Sequence, residues 1–327
     1  MNPTPTPTQA PLLEIRNLHT WFPIRRGIFS TRAGWIKAVD DVSLTLAPRE
    51  TLGLVGESGC GKTTLARTVA DLEQAHSGEI RFKDADLLHA DASTRRALRR
   101  NIQMVFQDPY TSLNPRMTVL DLVTEGLLEH GLLQGTRQDE AERLLGEVGL
   151  GPDVMLRYPF EFSGGQRQRI CLARAMSVRP ELLLCDEAVS ALDVSVQAQA
   201  LNLLMDLREK HALSLLFISH DLSVIKHVSD RVAVMYLGRV VEEGPVDAIM
   251  EHPLHPYTQA LTSAMLIPGQ ARGQRQVLPG EIPSPANPPP GCPFHPRCPK
   301  AMACCSHEAP AERIVAGCRV RCHLFKD

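Results

Sequence analysis

Nearly unbroken apolar runs, separated by segments of helical spacing, are the main pattern along this chain. The four runs rich in Leu, Val and Ile are residues 50–56, 181–187, 214–220 and 231–238. Runs of this kind are typical of strands buried on both faces of a parallel sheet. Helical spacing at 61–73 follows the first run, and helical spacing at 195–211 separates two others. The pattern predicts an α/β fold with a mainly parallel core sheet covered by helices.

Three other segments, 13–22, 37–48 and 78–84, alternate apolar and polar residues with period two. This alternation is typical of half-exposed antiparallel strands, so we expect a separate antiparallel β-subdomain. Residues 117–160 have no strand pattern and carry helical spacing instead. They predict a helical subdomain at about residues 108–178.

The composition changes near residue 268, where Pro and Gly become frequent and disfavour both helix and central strand. We therefore divide the chain into a flexible lead at 1–11, a main domain at 12–267 and an irregular Pro/Cys-rich extension at 268–327. Six of the nine cysteines follow residue 290.

The bulk composition limits the classes of function. The 327 residues carry a net charge of −2, which gives no support to a nucleic-acid partner. No apolar run reaches the roughly 18–20 residues that span a bilayer, and the lead has no signal-peptide pattern. We therefore expect a cytosolic protein, in which clustered cysteines bind metal more readily than they form disulfides.

The segment GESGCGKT at 56–63 matches the phosphate-loop pattern G-x-x-x-x-G-K-[ST] between a predicted strand and a predicted helix. Its glycines let backbone N–H groups converge on phosphate oxygens, and the helix start adds its dipole. Lys62 can reach the β- and γ-phosphates, and the Thr63 hydroxyl can hold Mg²⁺. The predicted nucleotide-binding set is Gly56, Glu57, Ser58, Gly59, Cys60, Gly61, Lys62, Thr63 and Thr64. An ordinary Gly-rich turn would not require this strand and helix around it.

Two adjacent carboxylates, Asp186 and Glu187, end the apolar run LLLCDE. Ligands of such sheets bind at the carboxyl ends of the strands. We expect Asp186 to hold Mg²⁺ through water and Glu187 to polarise the attacking water as a general base.

The Ser-Gly-Gly-Gln segment at 163–166 opens a predicted helix, with Ser163 as a suitable N-cap. Exposed N–H groups at such a start can bind an anion, although a capped surface helix would also explain the serine. His220 ends the run at 214–220, where it is either structural or a sensor of the γ-phosphate.

These motifs, in this order over about residues 12–265, resemble the ATP-binding subunits of ABC transporters. The resemblance implies a P-loop NTPase fold of the ABC ATPase type and identifies 56–63 with Walker A, 163–166 with the signature motif and 182–187 with Walker B. It also implies a D-loop at 190–193, a switch histidine at His220, a Mg²⁺-sensing Q-loop glutamine at Gln107 and adenine stacking by Phe22, which has Trp21 beside it. The residues that it assigns to the signature are Ser163, Gly164, Gly165 and Gln166. Two such subunits pair head to tail, with ATP between the Walker A of one and the signature of the other.

The chain resembles the dipeptide/oligopeptide/nickel importer group at residues 105–119, 158–169 and 252–265. At residues 20–43 it resembles the second of the two ATPases that these importers usually carry. The resemblance implies a second ABC ATPase in a heterodimer, two membrane permease subunits, an extracytoplasmic solute-binding protein and a place on the cytoplasmic side of the inner membrane. Thr63 replaces a more usual Ser, and Phe160 stands where the group often has His; neither change removes ATPase chemistry.

The cysteines of the extension allow zinc or an iron–sulfur cluster, and their wide spacing favours the cluster. The importer group carries a [4Fe–4S] cluster in this region, and matching its pattern nominates Cys292, Cys298, Cys305 and Cys322 as ligands. Cys304 and Cys318 would be additional thiols. His295, His307 and His323 could ligate zinc instead, but we expect them to be solvated. The expected role of the metal is structural, because a Pro-rich segment of this length buries little surface by itself.

Peptides are the first expectation for the transported solute, with nickel, opines or sugars as alternatives. Three further classes stay open at this stage. They are a soluble ABC ATPase acting on nucleic acid or ribosomes, a regulatory subunit that does not hydrolyse ATP, and a redox protein with an attached ATPase.

Overall fold

The computed structural model describes residues 10–26, 31–190, 193–264 and 278–326. The chain divides into two compact units. The first comprises residues 1–46, 51–88 and 219–327, and the second comprises 47–50 and 89–218. Most of the lead predicted at 1–11 lies outside the described residues, as does the boundary predicted near 268. Both therefore stay predictions.

The described elements follow the predicted alternation of strands and helices. In chain order the strands are β1 (Leu13–Arg26), β2 (Thr31–Leu46), β3 (Thr51–Val55), β4 (Ser77–Phe82), β5 (Ala85–Asp86), β6 (Ile102–Val105), β7 (Leu182–Asp186), β8 (Ser214–Ile218), β9 (Arg231–Tyr236), β10 (Arg239–Pro245), β11 (Glu312–Val315) and β12 (Cys318–Arg321). The helices are α1 (Lys62–Val69), α2 (Ala92–Asn101), α3 (Pro109–Ser112), α4 (Val119–Glu129), α5 (Arg137–Glu147), α6 (Gly164–Ser177), α7 (Val194–His211), α8 (Leu222–Val228), α9 (Val246–Glu251) and α10 (Pro256–Ser263).

An antiparallel sheet in the first unit confirms the period-two prediction. Its strand order is β2-β1-β4-β5, and Leu13 of β1 lies opposite Leu46 of β2 and Phe82 of β4. The alternate apolar residues of these strands, including Ile15 and Ile80, are buried. The sequence alternates because one face of this sheet packs into the core and the other does not.

The first unit also contains a run of strands ordered β11-β12-β10-β9-β3. β3 and β9 are parallel, whereas the other neighbours in this run are antiparallel. β11 and β12 form a hairpin within the extension, which we expected to be irregular. Two features fix it in place: Val320 is buried, and Arg319 pairs with the buried carboxylate of Glu243 on β10.

The second unit has a parallel sheet and a group of helices. β6, β7 and β8 are parallel neighbours, and every residue of β7 and β8 is buried, as their unbroken apolar runs predicted. α4, α5 and α6 occupy the region expected to be helical. Their starts are fixed by side-chain caps at Thr118, Thr136 and Ser163, which satisfy N–H groups that have no partner within the helix.

Candidate functional site

The phosphate loop of the first unit runs from the end of β3 into α1, and its backbone requires glycine at two positions. Gly56 and Gly61 have φ of 152° and 106°. A Cβ at Gly56 would lie 2.2 Å from the carbonyl oxygen of Met235, and one at Gly61 would lie 2.0 Å from that of Ala38. The loop is therefore a tight cradle that neighbouring backbone holds in shape.

Lys62 is almost completely buried, and its ammonium group lies against its own loop. Nζ donates hydrogen bonds to the carbonyl oxygens of Gly56 at 2.8 Å and Glu57 at 3.0 Å. Thr63 and Thr64 occupy the first turn of α1, and both are partly exposed. A buried cation beside the first N–H groups of a helix is suited to polyphosphate binding.

His220 lies near the loop, in the same unit. It lines a cavity of about 440 Å³ together with Gly56, Asp221 and Ser223. The side chain of Asp221 caps α8 by accepting a hydrogen bond from the N–H of Ser223 at 2.8 Å, which fixes the chain directly after the histidine. The structure thus brings together two predicted site residues, Gly56 and His220, that lie far apart in the sequence.

The second unit holds the predicted carboxylates at the end of β7. Asp186 is only 2% exposed. Glu187 follows in the left-handed region, with φ of 46°, a conformation that costs a non-glycine residue energy. Gln107, which follows β6, donates a hydrogen bond from Nε2 to Oε2 of Glu187 at 2.8 Å. The parallel pairing of β6 and β7 places these two residues at the same sheet edge, as strand-end ligands should be.

The three cysteines outside the extension behave as small apolar residues. Cys60, Cys171 and Cys185 are buried, and burial raises the pKa of each thiol. For Cys185 the pKa rises to about 12, and the adjacent Asp186 contributes to the increase. These thiols therefore stay protonated and unreactive at neutral pH.

The signature segment begins α6 with a reciprocal capping box. The hydroxyl of Ser163 accepts a hydrogen bond from the N–H of Gln166, whose side-chain oxygen accepts one from the N–H of Ser163 at 3.1 Å. Both side chains are exposed, and Gly164 and Gly165 form the first turn. A Cβ at Gly165 would lie 2.5 Å from the side chain of Val196. Ala191 and Leu192, in the predicted D-loop, lie outside the described residues.

Two neighbouring aromatic residues on β1 have different surroundings. Trp21 stacks on His76 at 4.4 Å between ring centroids and also lies near Trp35. Phe22 points to the opposite face of the strand and is partly exposed. Because Trp21 is already packed against other rings, Phe22 is the better candidate for stacking on a base.

The four cysteines nominated as metal ligands lie close together, and neighbouring thiols influence the pKa of three of them. Burial raises the pKa of Cys292 to about 11, and the thiols of Cys305, Cys322 and Cys298 also contribute. Burial likewise raises the pKa of Cys298 and of Cys322, again with contributions from neighbouring members of this set. Grouped, desolvated thiols of this kind gain from a cation that stabilises their thiolates.

A second group of possible ligands lies in the same extension. Atoms of Cys304, Cys305 and His323 come within 4.8 Å of one another. His323 is buried, its Nε2 lies 2.8 Å from the carbonyl oxygen of Glu308, and its Nδ1 has no hydrogen-bond partner. The expectation that this histidine is solvated was wrong, because the sequence around it gave no sign that the hairpin β11–β12 would order the C-terminal residues.

Sequence reasoning missed two contacts to the phosphate loop. The hydroxyl of Tyr257 on α10 accepts a hydrogen bond from the N–H of Glu57 at 2.8 Å. Arg297, next to Cys298 in the extension, forms two hydrogen bonds with the carboxylate of Glu57. Local patterns could not identify either partner, because each lies at least 200 residues away along the chain.

Comparison with protein families gives two matches. Residues 39–190 match the ABC transporter family, and residues 241–305 match the family described as the C-terminal region of oligopeptide/dipeptide transporters. Among the described residues, every helix is too short or too polar to cross a bilayer.

Several curated proteins resemble almost the whole chain. The oligopeptide transport ATP-binding protein AppF of Bacillus subtilis is 50% identical, over 97% of this chain and 98% of its own. OppF of Salmonella typhimurium, with the same description, is 49% identical over 91% and 92%. The di/tripeptide transport ATP-binding protein DppF of Pseudomonas aeruginosa is 46% identical over 95% and 97%.

Solved structures give the same fold. The dimeric ATP-binding cassette MJ0796, bound to ADP and Pi in a post-hydrolysis state, is 25% identical with a TM-score of 0.62, covering 72% of this chain and 98% of that one. The cbiO1 structure from Clostridium perfringens, part of the transporter complex cbiONQ, is 22% identical with a TM-score of 0.63, covering 75% and 92%.

Proposed function

We propose that this chain, which belongs to the ATP-binding proteins of ABC transporters, hydrolyses ATP to power the import of peptides of the dipeptide/oligopeptide type. The supporting observation is the likeness to peptide-transport ATP-binding proteins, at 46–50% identity over nearly the full length of both chains. This likeness extends through the C-terminal region, where the peptide-transporter family matches residues 241–305.

In this proposal each motif has a separate role in ATP hydrolysis. The cradle at 56–64, with the buried Lys62, holds the phosphates, while Phe22 stacks on adenine. Thr63, Asp186 and Gln107 are the residues that would hold Mg²⁺, and the ion would supply neutralisation of the charge that develops on the phosphates. Glu187 orients and deprotonates the attacking water, and His220 contacts the γ-phosphate.

The signature helix acts on the nucleotide of a second ATPase subunit. Ser163 and Gln166 are exposed at the start of α6, where first-turn N–H groups favour an anion. The closed pair of subunits is therefore stable only while the γ-phosphate is in place, and hydrolysis of ATP allows the pair to open. We propose a heterodimer with a different ABC ATPase, as the importer group has.

Glu187→Gln tests the hydrolytic role. The amide keeps the shape of the side chain but cannot accept the proton, so we expect ATPase turnover to fall at least about 100-fold while ATP is still bound. The variant should remain trapped as an ATP-bound dimer in size-exclusion chromatography. Glu181→Gln, just before the other end of β7, is the matched control and should retain normal turnover. Normal turnover in Glu187→Gln would refute this assignment.

An exposed apolar patch in the second unit supports docking of the permease subunits. It consists of Tyr110, Tyr158 and Phe160. Tyr158 and Phe160 stack at 5.7 Å, and the guanidinium of Arg167 lies 3.6 Å from the Tyr110 ring while donating a hydrogen bond to the carbonyl oxygen of Phe160. Exposed aromatic clusters of this kind are typical of protein interfaces.

Co-purification from membranes tests these partners. We expect the chain to be recovered at the cytoplasmic face of the inner membrane with two permeases and a second ATPase, in an importer served by an extracytoplasmic solute-binding protein. Phe160→Ala should reduce recovery of the permeases, whereas Leu128→Ala, at another exposed apolar residue of the same unit, should not. Recovery with ribosomes or DNA alone would refute the transporter function.

We also propose that the extension binds a [4Fe–4S] cluster through Cys292, Cys298, Cys305 and Cys322, with a structural role. The raised pKa values of Cys292, Cys298 and Cys322, to which burial and neighbouring thiols of this set contribute, support a shared cation. Zinc at Cys304, Cys305 and His323 is the alternative, supported by their close approach and by the unpartnered Nδ1 of His323.

Metal analysis of anaerobically purified protein separates the two proposals. A cluster predicts four iron atoms per chain and broad absorption near about 400 nm, both lost in Cys298→Ser and retained in Cys304→Ser. One zinc per chain and no colour, with zinc lost in Cys304→Ser or His323→Ala, would support the alternative instead.

A further inference from the structure

We infer that Arg297 is a positioning residue for nucleotide binding, through which the cysteine-rich extension holds the phosphate loop and neutralises its one acidic side chain. Nη1 and Nη2 of Arg297 lie 2.7 and 3.0 Å from the two carboxylate oxygens of Glu57. This two-pronged geometry suits a guanidinium and gives both strength and orientation. The inference rests on residues 56–63 being the nucleotide's phosphate loop.

Packing and a hydrogen bond within the extension restrain Arg297, and through it the carboxylate of Glu57. The side chain of Arg297 is 6% exposed and that of Glu57 is 25% exposed. Nε of Arg297 also donates to the carbonyl oxygen of Pro279 at 3.3 Å. A guanidinium packed in this way has little freedom to move, so the carboxylate that it holds is also restrained.

Contacts between aromatic rings connect the segment that carries Arg297 to the rest of the first unit. The ring of Phe294, three residues before Arg297, contacts the rings of Tyr236 and Tyr257 at centroid distances of 5.2 and 5.4 Å. The hydroxyl of Tyr257 accepts a hydrogen bond from the N–H of Glu57. The extension therefore holds the side chain of Glu57, while α10, which Phe294 contacts, holds its backbone.

Charge makes this contact relevant to nucleotide affinity. A phosphate loop must accept a polyanion, and an unpaired carboxylate in the loop would repel it. Arg297 cancels that charge without entering the loop itself. Removal of the arginine should therefore weaken nucleotide binding through the remaining charge of Glu57, and removal of that charge as well should restore binding.

The experiment measures binding of MgATP to the purified full-length chain by titration calorimetry. We expect Arg297→Met to weaken binding about tenfold at low salt. The effect should be smaller at high salt, because the unpaired carboxylate of Glu57 is partly exposed and salt partly screens its repulsion of the phosphates. The double variant Glu57→Gln/Arg297→Met should bind within about threefold of the native chain. KM for ATP should follow the same order, with kcat changed much less.

Arg321→Met is the matched control. This arginine also lies in the extension and pairs with Asp41 at 2.9 Å, outside the phosphate loop. We expect it to lower Tm and leave MgATP affinity unchanged. Equal loss of affinity in Arg321→Met and Arg297→Met would contradict the inference, because general loosening of the extension would then explain both.

Three other outcomes would also overturn it. They are native affinity in Arg297→Met, a double variant as weak as Arg297→Met, and a loss that does not depend on salt. If Arg297→Met does not fold, Arg297→Lys is used instead; it keeps the charge but loses the fork, and we expect about threefold weaker binding. Native affinity in that variant would overturn the positioning role. A native chain that does not bind MgATP would refute the proposed function rather than this inference.

Discussion

His255 is a buried titratable residue whose environment keeps it neutral. Burial lowers the pKa of its imidazole to about 3. Its Nδ1 accepts a hydrogen bond from the N–H of Tyr257 at 3.1 Å and so caps α10, and the backbone N–H of His255 donates to the buried carboxylate of Glu242 at 2.9 Å. The ring is therefore used as a neutral acceptor, and protonation would remove that cap.

We expect His255 to make the protein less stable as pH falls. Above about pH 6.5, the pKa of histidine in an unfolded chain, the imidazole is neutral in both states. At lower pH it is protonated in the unfolded chain but stays neutral in the folded chain down to about pH 3. Lowering the pH from 7.5 to 5.0 therefore reduces the free energy of unfolding by about 2 kcal/mol. His255→Asn keeps a capping side chain but cannot titrate, so the difference between the urea unfolding curves of variant and native chain at the two pH values measures this cost. Equal pH dependence in the two proteins would show that the imidazole is not held neutral.

At the residue scale, local motifs predicted a tight loop at 56–63 with Lys62 beside it, because a phosphate cradle needs particular residues at fixed spacing. They could not identify Arg297 or the burial of His323. Both depend on where the extension folds back in space, and its local sequence does not encode the surface that it meets.

α6 and α5 begin with the same capping arrangement, which allows structural and functional roles to be separated. Ser163 pairs with Gln166 at the start of α6, and Thr136 pairs with Asp139 at the start of α5. We expect Ser163→Ala and Thr136→Ala each to cost about 1 kcal/mol of stability, since each removes one cap. Only Ser163→Ala should reduce ATP-driven pairing with the proposed second subunit, because in that proposal α6, and not α5, acts on the partner's nucleotide.

Thermal unfolding gives the stability of each variant, and ATP-dependent dimer formation gives the pairing. If Thr136→Ala impaired pairing as strongly as Ser163→Ala, the defect would come from helix stability alone, and the role of the signature helix in the partner's site would be wrong.

At the element scale, the buried parallel strands were predictable because a short unbroken apolar run, in a domain of this composition, fits few structures other than a strand buried on both faces. The β11–β12 hairpin was not. Its strands are four residues each, and it is fixed by Arg319 with Glu243 and by Arg321 with Asp41, partners far away in sequence. The proline content of the extension predicted irregular structure throughout. The local sequence had no strand pattern at the ten residues that form the hairpin.

At the scale of the whole molecule, the extension is an integral part of the first unit. Its hairpin continues the strand order beyond β10, and Phe294 fills a space beside Tyr236 and Tyr257. Phe294 is 1% exposed, whereas Ile314 in the same extension is 78% exposed. An appended tail would not bury a large aromatic side chain among residues of the core.

This integration predicts that Phe294→Ala destabilises the protein by about 3–5 kcal/mol, because it removes a buried ring and leaves a cavity. Ile314→Ala, the matched control, should change stability by less than about 0.5 kcal/mol, because its side chain already faces water. Urea unfolding of both variants measures the difference. MgATP should bind more weakly to Phe294→Ala as well, since the ring supports Tyr257 behind the phosphate loop. If Phe294→Ala were as stable as Ile314→Ala, the extension would be attached to the first unit without contributing to its core.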